Sequence, residues 1–175
     1  MDLFTALHTR RSIRRYTDQP VSDQDLRIIL DAAMAAPSAG NVQPWEFIVI
    51  DDPAILTKVP GINPYAPMAT HAPLSVMVCG NLNAEKYKGC WVQDCSAAIQ
   101  NFLLAAFGLG LGTVWTAVHP MEDRVAAFKQ LLNLPEHIIP LGLIVLGYPA
   151  VDPERKSRFE AAKVHHNLWG TPKKI

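Results

Sequence analysis

The segment at residues 91–112, WVQDCSAAIQNFLLAAFGLGLG, constrains the fold more than any other part of the chain. It predicts the longest helix of the sequence, and this helix is apolar on nearly every face. A helix of that kind has to be covered by other elements, so we expect it to be central and buried. Gly108, Gly110 and Gly112 predict where it ends.

The remaining segments alternate between helical and strand patterns. Helices are predicted at 2–9, from the capping residue Ser22 to Pro37, and at 121–134, and strands at 45–50, 73–80, 113–118 and 138–149. This mixture predicts an α+β fold in which helices pack on a small sheet, within a single domain over residues 1–175. The polar tail at about 150–175 has little core of its own, so it is expected to lie on another surface, and a partner subunit is one candidate.

Composition excludes several classes of function. Hydrophobic residues make up 49% of the chain, and 16 Lys and Arg balance 16 Asp and Glu, so nothing global favours nucleic acid or an acidic membrane. No apolar run reaches the roughly 18 residues of a membrane helix, and the N-terminus is the reverse of a secretory signal. The irregular spacing of Cys79, Cys90 and Cys95 favours free thiols in a reducing compartment, which predicts a cytoplasmic protein.

Against this neutral background, RRSIRR at 10–15 places four arginines in six positions. Guanidinium groups match the oxygens of a phosphate, so the run is either an anion site or a solvated surface. Lys156 and Arg158 form a second basic pair whose side chains point to one side of an extended chain. Each cluster alone favours the solvated surface, whereas two clusters around one phosphate make a strong site.

The segment APSAGNVQPWEF at 36–47 lies between a predicted helix and a predicted strand. Two prolines stiffen it, and Ser38, Asn41 and Gln43 offer hydroxyl and amide groups that can bind the edge of a heterocycle. A rigid loop with capping side chains explains the same residues equally well.

Other motifs do not support a site. The glycines of GLGLGT follow a helix and precede a strand, the opposite order to a dinucleotide-binding loop, so they predict a helix end and close packing. No metal is predicted, because His71, His119, His165 and His166 are scattered without ligands at zinc spacing. The chain contains neither a G-x-S-x-G elbow nor a Walker sequence.

Several motifs in this order resemble the nitroreductase family of flavin enzymes, over almost the whole chain. They are RRSIRRY, APSAGNVQPWEF, APLSVMVCG, DCSAAIQNFLLAAFGLGLGTVWTAV, LGLIVLGYP, and KSR before VHHNLW. The resemblance implies an α/β sandwich with a small, mostly antiparallel sheet flanked by helices. It also implies a homodimer with noncovalent FMN in each of two sites at the subunit interface, and a tail that packs on the partner subunit.

The resemblance further implies which residues bind FMN. Arg10, Arg11 and Ser12 match the motif that holds the phosphate and ribityl chain, and Lys156 and Arg158 match the basic pair that closes on the same phosphate. Arg14 matches a basic position near the N1/O2 edge of the isoalloxazine, where reduction places negative charge that a fixed cation favours.

Two further stretches match the family around the flavin ring. The partner subunit contributes a loop whose matching residues here are Pro37, Ser38, Ala39, Asn41 and Gln43. One ring face is lined by a stretch matched by Trp115, Thr116, Ala117 and Val118. The backbone N–H of Ala117 is the group expected to approach flavin N5.

The implied activity is that of an FMN oxidoreductase with ping-pong kinetics. NADH or NADPH gives a hydride to N5 and leaves, and a nitro compound, quinone, activated alkene or flavin then enters the same space. The cofactor carries the chemistry, so no catalytic acid, base or nucleophile is expected. The alternative is a flavin-binding protein that stores, delivers or senses FMN with little NAD(P)H turnover.

The chain departs from larger members of the family in two places. The connection from Asp51 to Pro73 is short, with Met68 where a lysine often stands, and Asn63 and Tyr65 are its available polar groups. The helical insert that covers the site in larger relatives is missing. We therefore expect an open or differently covered substrate pocket.

Overall fold

The computed structural model describes residues 2–151 and 158–173. Within these ranges the α-helices are α1 (Leu3–Thr9), α2 (Asp23–Met34), α3 (Pro53–Leu56), α4 (Val59–Ile62), α5 (Trp91–Gly108) and α6 (Glu122–Leu131). The strands are β1 (Trp45–Ile50), β2 (Leu74–Asn81), β3 (Gly112–Ala117) and β4 (Ile138–Gly147). Short 3-10 helices occur at Ala39–Asn41, Pro67–His71 and Ala161–Lys163. The predicted helices and strands are confirmed, with ends shifted by a few residues at most.

Helix α2 begins at the residue that the sequence indicates. Ser22 Oγ accepts a hydrogen bond from the backbone N–H of Asp25 at 3.0 Å and donates one to the Asp25 carboxylate at 2.8 Å. These bonds satisfy a donor that the first turn of a helix otherwise leaves unpaired. The helix ends at Met34, shortly before Pro37.

The connection between β1 and β2 contains short helices that the sequence pattern does not predict. Asp52 Oδ1 accepts the N–H of Ala54 at 2.8 Å and begins α3, and α4 and the 3-10 helix Pro67–His71 follow. Val59 and Ala69 are fully buried, because this connection covers one face of the sheet. A short connection therefore still supplies a helical layer.

The four strands form one antiparallel sheet in the order β1-β2-β4-β3. This confirms the small antiparallel sheet that the family resemblance implies. β2 and β4 are central and buried along nearly their whole length, since helices cover both faces. β1 and β3 are the edge strands, and β3 becomes important for the candidate site.

Helix α5 packs between the sheet and α2. Ala98, Ile99 and Phe102 are fully buried in the core that these elements share. Leu104 and Ala105, on another side of the helix, are only half-buried and line a cavity of about 510 Å³ beside α1. Helix α5 is thus central and largely buried, while one of its apolar faces remains uncovered within a single chain. None of the described helices is both long and apolar enough to cross a membrane.

The chain after α1 is attached to the beginning of β3. The backbone N–H of Ile13 donates to the carbonyl of Thr113 at 2.9 Å, and the buried Ile13 side chain packs against Gly112. A Cβ at Gly112 would lie 2.8 Å from Ile13 Cβ, closer than real side chains approach. This contact fixes the arginine run at one end of the β3 edge.

Candidate functional site

Residues 10–14, here called the arginine segment, lie beside the beginning of β3. The N–H of Arg10 donates to the Ala6 carbonyl at 3.0 Å and ends α1, and Ser12 forms a parallel bridge with Thr113. Arg11 donates to the carbonyls of His8 at 3.0 Å and Arg10 at 2.7 Å. The backbone of the segment is thus tied down at both ends.

The arginine segment and Arg158 create a local excess of positive charge. Burial, followed by repulsion from Arg158 and then from Arg11, lowers the pKa of Arg10. The two predicted basic clusters therefore meet, at least through Arg10 and Arg158. In the described part of the chain neither of these two residues forms an ion pair with a carboxylate, and this is the environment of an anion site. The predicted role of Lys156 falls outside the described residues.

Arg14 lines a cavity of about 430 Å³ next to this cluster. The other lining residues are Arg15, Tyr16, Met68, His71, Ala150 and Val151. The Tyr16 hydroxyl donates to the carbonyls of Ile13 at 2.6 Å and Val145 at 3.2 Å, and burial raises its pKa. Tyr16 therefore contributes an uncharged hydroxyl to the lining of the cavity, and Arg14 and Arg15 contribute its positive charge.

The edge of β3 carries backbone groups toward the open side of the sheet. Val118 donates its N–H to the carbonyl of Leu141 in β4 at 3.1 Å. Bonded and non-bonded pairs alternate along an antiparallel ladder, so the odd-numbered residues of β3 direct N–H and C=O away from β4: Thr113, Trp115 and Ala117. The predicted ring-lining stretch thus presents outward backbone groups at two of its four residues, Trp115 and Ala117.

The side chains of this stretch point to different surroundings. Thr116 is buried and donates its hydroxyl to the Leu143 carbonyl at 3.1 Å, and Val118 is buried in the core. The Trp115 side chain is 38% exposed, and its indole lies over Gly142, where a Cβ would be only 2.1 Å from Nε1. Trp115 is therefore the one side chain of the four that both contacts the sheet and presents a large surface to solvent.

The carbonyl of Ala117 accepts two side-chain hydrogen bonds. Asn63 Nδ2 donates to it at 3.2 Å and Arg124 Nη1 at 3.1 Å. In the sequence, Asn63 stands out only as an available polar group, and Arg124 does not stand out. No local motif marks Arg124, because it lies in an ordinary amphipathic helix and meets β3 only through the turn between them.

The loop at 37–43 is held by its own polar groups. Ser38 Oγ accepts the backbone N–H of Gln43 at 2.9 Å, and the Gln43 side-chain amide donates to Asn41 Oδ1 at 3.2 Å. Gly40, Asn41 and Gln43 adopt φ values of 63°, 55° and 50°, a left-handed geometry that is uncommon outside glycine and asparagine. Pro37 is exposed at the start of this rigid loop.

A buried carboxylate attaches the loop to α5. The N–H of Ala39 donates to Asp94 Oδ1 at 3.0 Å, and Asp94 is almost fully buried in the first turn of α5. The sequence alone does not predict this role of Asp94. The carboxylate is recognisable only once the loop has folded onto the helix.

The loop and the arginine segment lie at opposite ends of α5. Ala39 binds Asp94 near the beginning of the helix, whereas Ser12 meets Thr113 just beyond its end. The 18 residues of α5 span roughly 27 Å at 1.5 Å per residue. Within one chain these two parts of the predicted site therefore do not come together.

Known proteins are similar to the chain over most of its length. The model of the nitroreductase family matches residues 7–66 and 62–148. A protein of Methanothermobacter thermautotrophicus, provisionally named NADH dehydrogenase/NAD(P)H nitroreductase, is 48% identical over 97% of this chain and 88% of its own length.

Two solved structures have the same fold. A structure from Parabacteroides distasonis with the same provisional name superposes with a TM-score of 0.92 at 39% identity, covering 95% of this chain and 98% of the other. A provisionally named nitroreductase from Desulfovibrio desulfuricans, solved in complex with FMN, has a TM-score of 0.81 at 32% identity and covers 97% and 98% of the two chains. The chain described here belongs to the nitroreductase family.

Proposed function

We propose that the chain is an FMN-dependent oxidoreductase that passes a hydride from NADH or NADPH, through the flavin, to a small-molecule acceptor. The observation that carries the proposal is the approach of Arg158 to the half-buried Arg10, beside the outward edge of β3. Cations placed together without a described carboxylate partner favour a phosphate, and FMN carries one. The relative from D. desulfuricans binds FMN on the same fold.

The residues at this edge fit FMN in their chemistry. Its phosphate requires charged donors, which Arg10 and Arg158 supply, with Lys156 as a proposed third group. Arg11 and Ser12 flank the phosphate position on a backbone held against β3. The edge of a flavin ring accepts hydrogen bonds, and the outward N–H groups of Trp115 and Ala117 in β3 are available to donate them.

The residues of the chain bind and orient the cofactor and substrates. FMN, when bound, supplies the hydride chemistry. The N–H of Ala117 is proposed to donate to the flavin ring, and Arg14, at the rim of the adjacent cavity, places positive charge where reduction adds electrons. Because donor and acceptor use the same open space in turn, the kinetics are expected to be ping-pong.

We place the complete site between two copies of the chain. The loop at 37–43 is separated from the arginine segment by the length of α5, so a partner has to contribute it. The uncovered apolar face of α5 and the exposed side chains of Phe4 and Leu3 on α1 provide a surface for that partner. In the tail, Leu168 and Trp169 are exposed, Trp169 by 90%, which supports packing of this segment on the second subunit.

The acceptor is proposed to be a small oxidant that stacks on the flavin, such as a nitro compound, a quinone, an activated alkene or a free flavin. The cavity of about 430 Å³ beside Arg14 is large enough for one ring system and is lined by both polar and apolar groups. With its free cysteines, the protein is expected to work in the reducing cytoplasm.

An absorbance spectrum of the purified protein, recorded before and after anaerobic addition of NADH or NADPH, tests the function. The proposal predicts flavin absorbance that bleaches on addition of the donor and returns with the acceptor. Bound flavin that stays oxidised with both donors would favour flavin storage, delivery or sensing. A protein that neither contains nor takes up FMN would contradict the proposal.

A further inference from the structure

Two separate elements hold the last carbonyl of β3. Asn63, at the end of α4, and Arg124, in the first turn of α6, both donate to the oxygen of Ala117. An edge strand needs no such support for its fold, because its outward groups can bind water. Two donors converging on one edge carbonyl therefore point to a requirement for its orientation.

The geometry of Asn63 permits only one orientation of its amide. Asn63 is fully buried, and its Oδ1 accepts the backbone N–H of Tyr65 at 3.1 Å while its Nδ2 faces the carbonyl of Ala117. Its own backbone N–H donates to Val59 at 2.8 Å. Exchange of O and N in the amide would break both side-chain bonds, so Asn63 acts as a rigid link between α4 and β3.

Arg124 is itself positioned by a residue next to Asn63. Its guanidinium carbon lies 5.3 Å from the centre of the Tyr65 ring, within the range of a cation–π contact. Asn63, Tyr65 and Arg124 thus form a connected cluster around one carbonyl. The cluster brings a permanent positive charge to the end of the β3 edge opposite the arginine segment.

We propose that Asn63 and Arg124 are positioning residues for the flavin, and this proposal rests on the proposed function. The N–H and C=O of a strand residue point to the same side, so holding the carbonyl of Ala117 also fixes the direction of its N–H. Asn63 acts through geometry alone. Arg124 acts through geometry and through its charge.

This arrangement favours reduced FMN over oxidised FMN. Reduction adds negative charge to the ring, and a donor held in place and a nearby cation interact more strongly with the charged form. Loss of either residue is therefore expected to weaken binding of reduced FMN more than binding of oxidised FMN. The phosphate end of the site, at Arg10 and Arg158, remains unchanged.

The first test is Asn63→Asp, which keeps an acceptor for Tyr65 and replaces the donor to Ala117 by an oxygen. Asn101→Asp is its matched control, because Asn101 Nδ2 donates to the Ala32 carbonyl at 3.1 Å between α5 and α2, away from the β3 edge. The second test compares Arg124→Gln, which removes the charge, with Arg124→Lys, which keeps it. Lys129→Gln is the control, since Lys129 on the same helix donates to the Glu136 carbonyl at 2.7 Å.

The measurements are the dissociation constants of oxidised and reduced FMN and the midpoint potential of the bound flavin. Asn63→Asp, which also adds a negative charge, and Arg124→Gln are each expected to weaken binding of reduced FMN about tenfold relative to oxidised FMN, an effect of the size of one hydrogen bond. For a two-electron couple this equals a potential lower by about 30 mV. Arg124→Lys and both controls are expected to keep the wild-type ratio within about threefold.

If Asn63→Asp and Arg124→Gln both keep the wild-type ratio of the dissociation constants of reduced and oxidised FMN, the inference is wrong and the proposed function stands. If the wild-type protein does not bind FMN, or is not reduced by NAD(P)H, both the inference and the proposed function are wrong. If Asn63→Asp does not fold, the half-exposed Arg124 decides the question through its Gln and Lys variants.

Discussion

The arginine segment and the loop at 37–43 satisfy their polar groups in opposite ways. In the loop, Ser38, Asn41 and Gln43 bind one another, and a buried carboxylate fixes the loop to α5. At the arginine segment, Arg10 faces Arg158, and burial and like charge disfavour its protonated form. The polar groups of the loop are thus satisfied within the chain. The arginine segment, in contrast, is held at an electrostatic cost that a bound anion would offset.

This difference indicates how the site is assembled. The proposed anion-binding part draws Arg10 and Arg158 from one chain. The loop is rigid within one chain but lies about the length of α5 away from the anion-binding part. Perturbing each region separately, and then both in different subunits, distinguishes these roles.

The largest effect is expected from Arg10→Ala combined with Arg158→Ala. Each charge-assisted hydrogen bond contributes about 1.5–3 kcal/mol, so loss of two lowers FMN affinity roughly 100-fold or more. The unfolding temperature is expected to hold, since removing Arg10 also removes repulsion from Arg11 and Arg158. FMN titration followed by fluorescence, together with thermal unfolding, checks both expectations.

Arg15→Ala is the matched control for this double variant. Arg15 belongs to the same basic run and is exposed, and although it lines the cavity beside Arg14, it is not assigned to the phosphate. Unchanged FMN affinity in the double variant, or equal loss in the control, would contradict the assignment of the phosphate to Arg10 and Arg158.

A mixing experiment tests whether the loop acts across the interface. Asn41→Gly with Gln43→Gly removes both side-chain amides and suits the left-handed backbone at these positions. Neither this loop variant nor the arginine double variant should bind FMN well alone. In a symmetric dimer, a mixed pair has one site with both parts intact, so random mixing restores about a quarter of the sites.

Flavin content after co-refolding of the two variants gives the readout. If the loop served the site of its own chain, every site in the mixture would carry one defect, and no binding would return. A monomer that retains FMN at low protein concentration would likewise rule out a site shared between subunits.

A smaller effect is expected from Gly112→Ala, which perturbs how the arginine segment is attached. A new Cβ at this position meets Ile13 at 2.8 Å, and overpacking of this kind costs about 1–3 kcal/mol. Stability and FMN affinity should fall together, because Ile13 lies within the arginine segment. Gly61→Ala is the control, since a Cβ there has no neighbour within 4 Å.

Chemical denaturation and FMN titration of both glycine variants provide the measurement. If Gly112→Ala lowers the free energy of unfolding without changing FMN affinity, the arginine segment tolerates displacement. The arginine segment and the loop at 37–43 would then differ less in rigidity than the structure indicates.

The sequence predicted the fold well, because its elements carry strong local signals. Ser22 as a cap, the apolar helix at 91–108 and the apolar strand at 138–147 all depend on near neighbours in the chain. The helices of the 51–73 connection were not predicted, since each is only four residues long and is stabilised by burial against the sheet.

The site was predictable only in part. The arginines and the loop stand out by composition and by family resemblance, whereas Asn63, Asp94 and Arg124 act through contacts 54, 55 and 7 positions away along the chain. A buried asparagine has the same appearance in a sequence as an exposed one. Roles that arise from such pairings become visible only when the fold brings the partners together.

The smallest expected effect concerns the thiols at the loop end of α5. Burial raises the pKa of both Cys79 and Cys95 to about 12, so both thiols stay protonated at pH 8. Cys90 is half-buried at the beginning of α5, and its N–H binds the carbonyl of Tyr87, whose ring contacts Gly40 of the loop. Cys90 should therefore react with a thiol reagent before Cys79 and Cys95. Because Cys90 lies next to the loop at 37–43, its labelling rate should change when the loop is covered.

If FMN completes a site between subunits, its addition should slow the labelling of Cys90 several-fold without labelling of Cys79 or Cys95. Mass spectrometry of the labelled peptides at pH 8 measures this directly, and the arginine double variant serves as the control that cannot respond to FMN. Because the arginine segment lies at the far end of α5 from Cys90, FMN bound there without a partner would leave the rate unchanged. Protection of Cys90 would thus connect the two regions through the second subunit, and an unchanged rate together with bound FMN would show that each works alone.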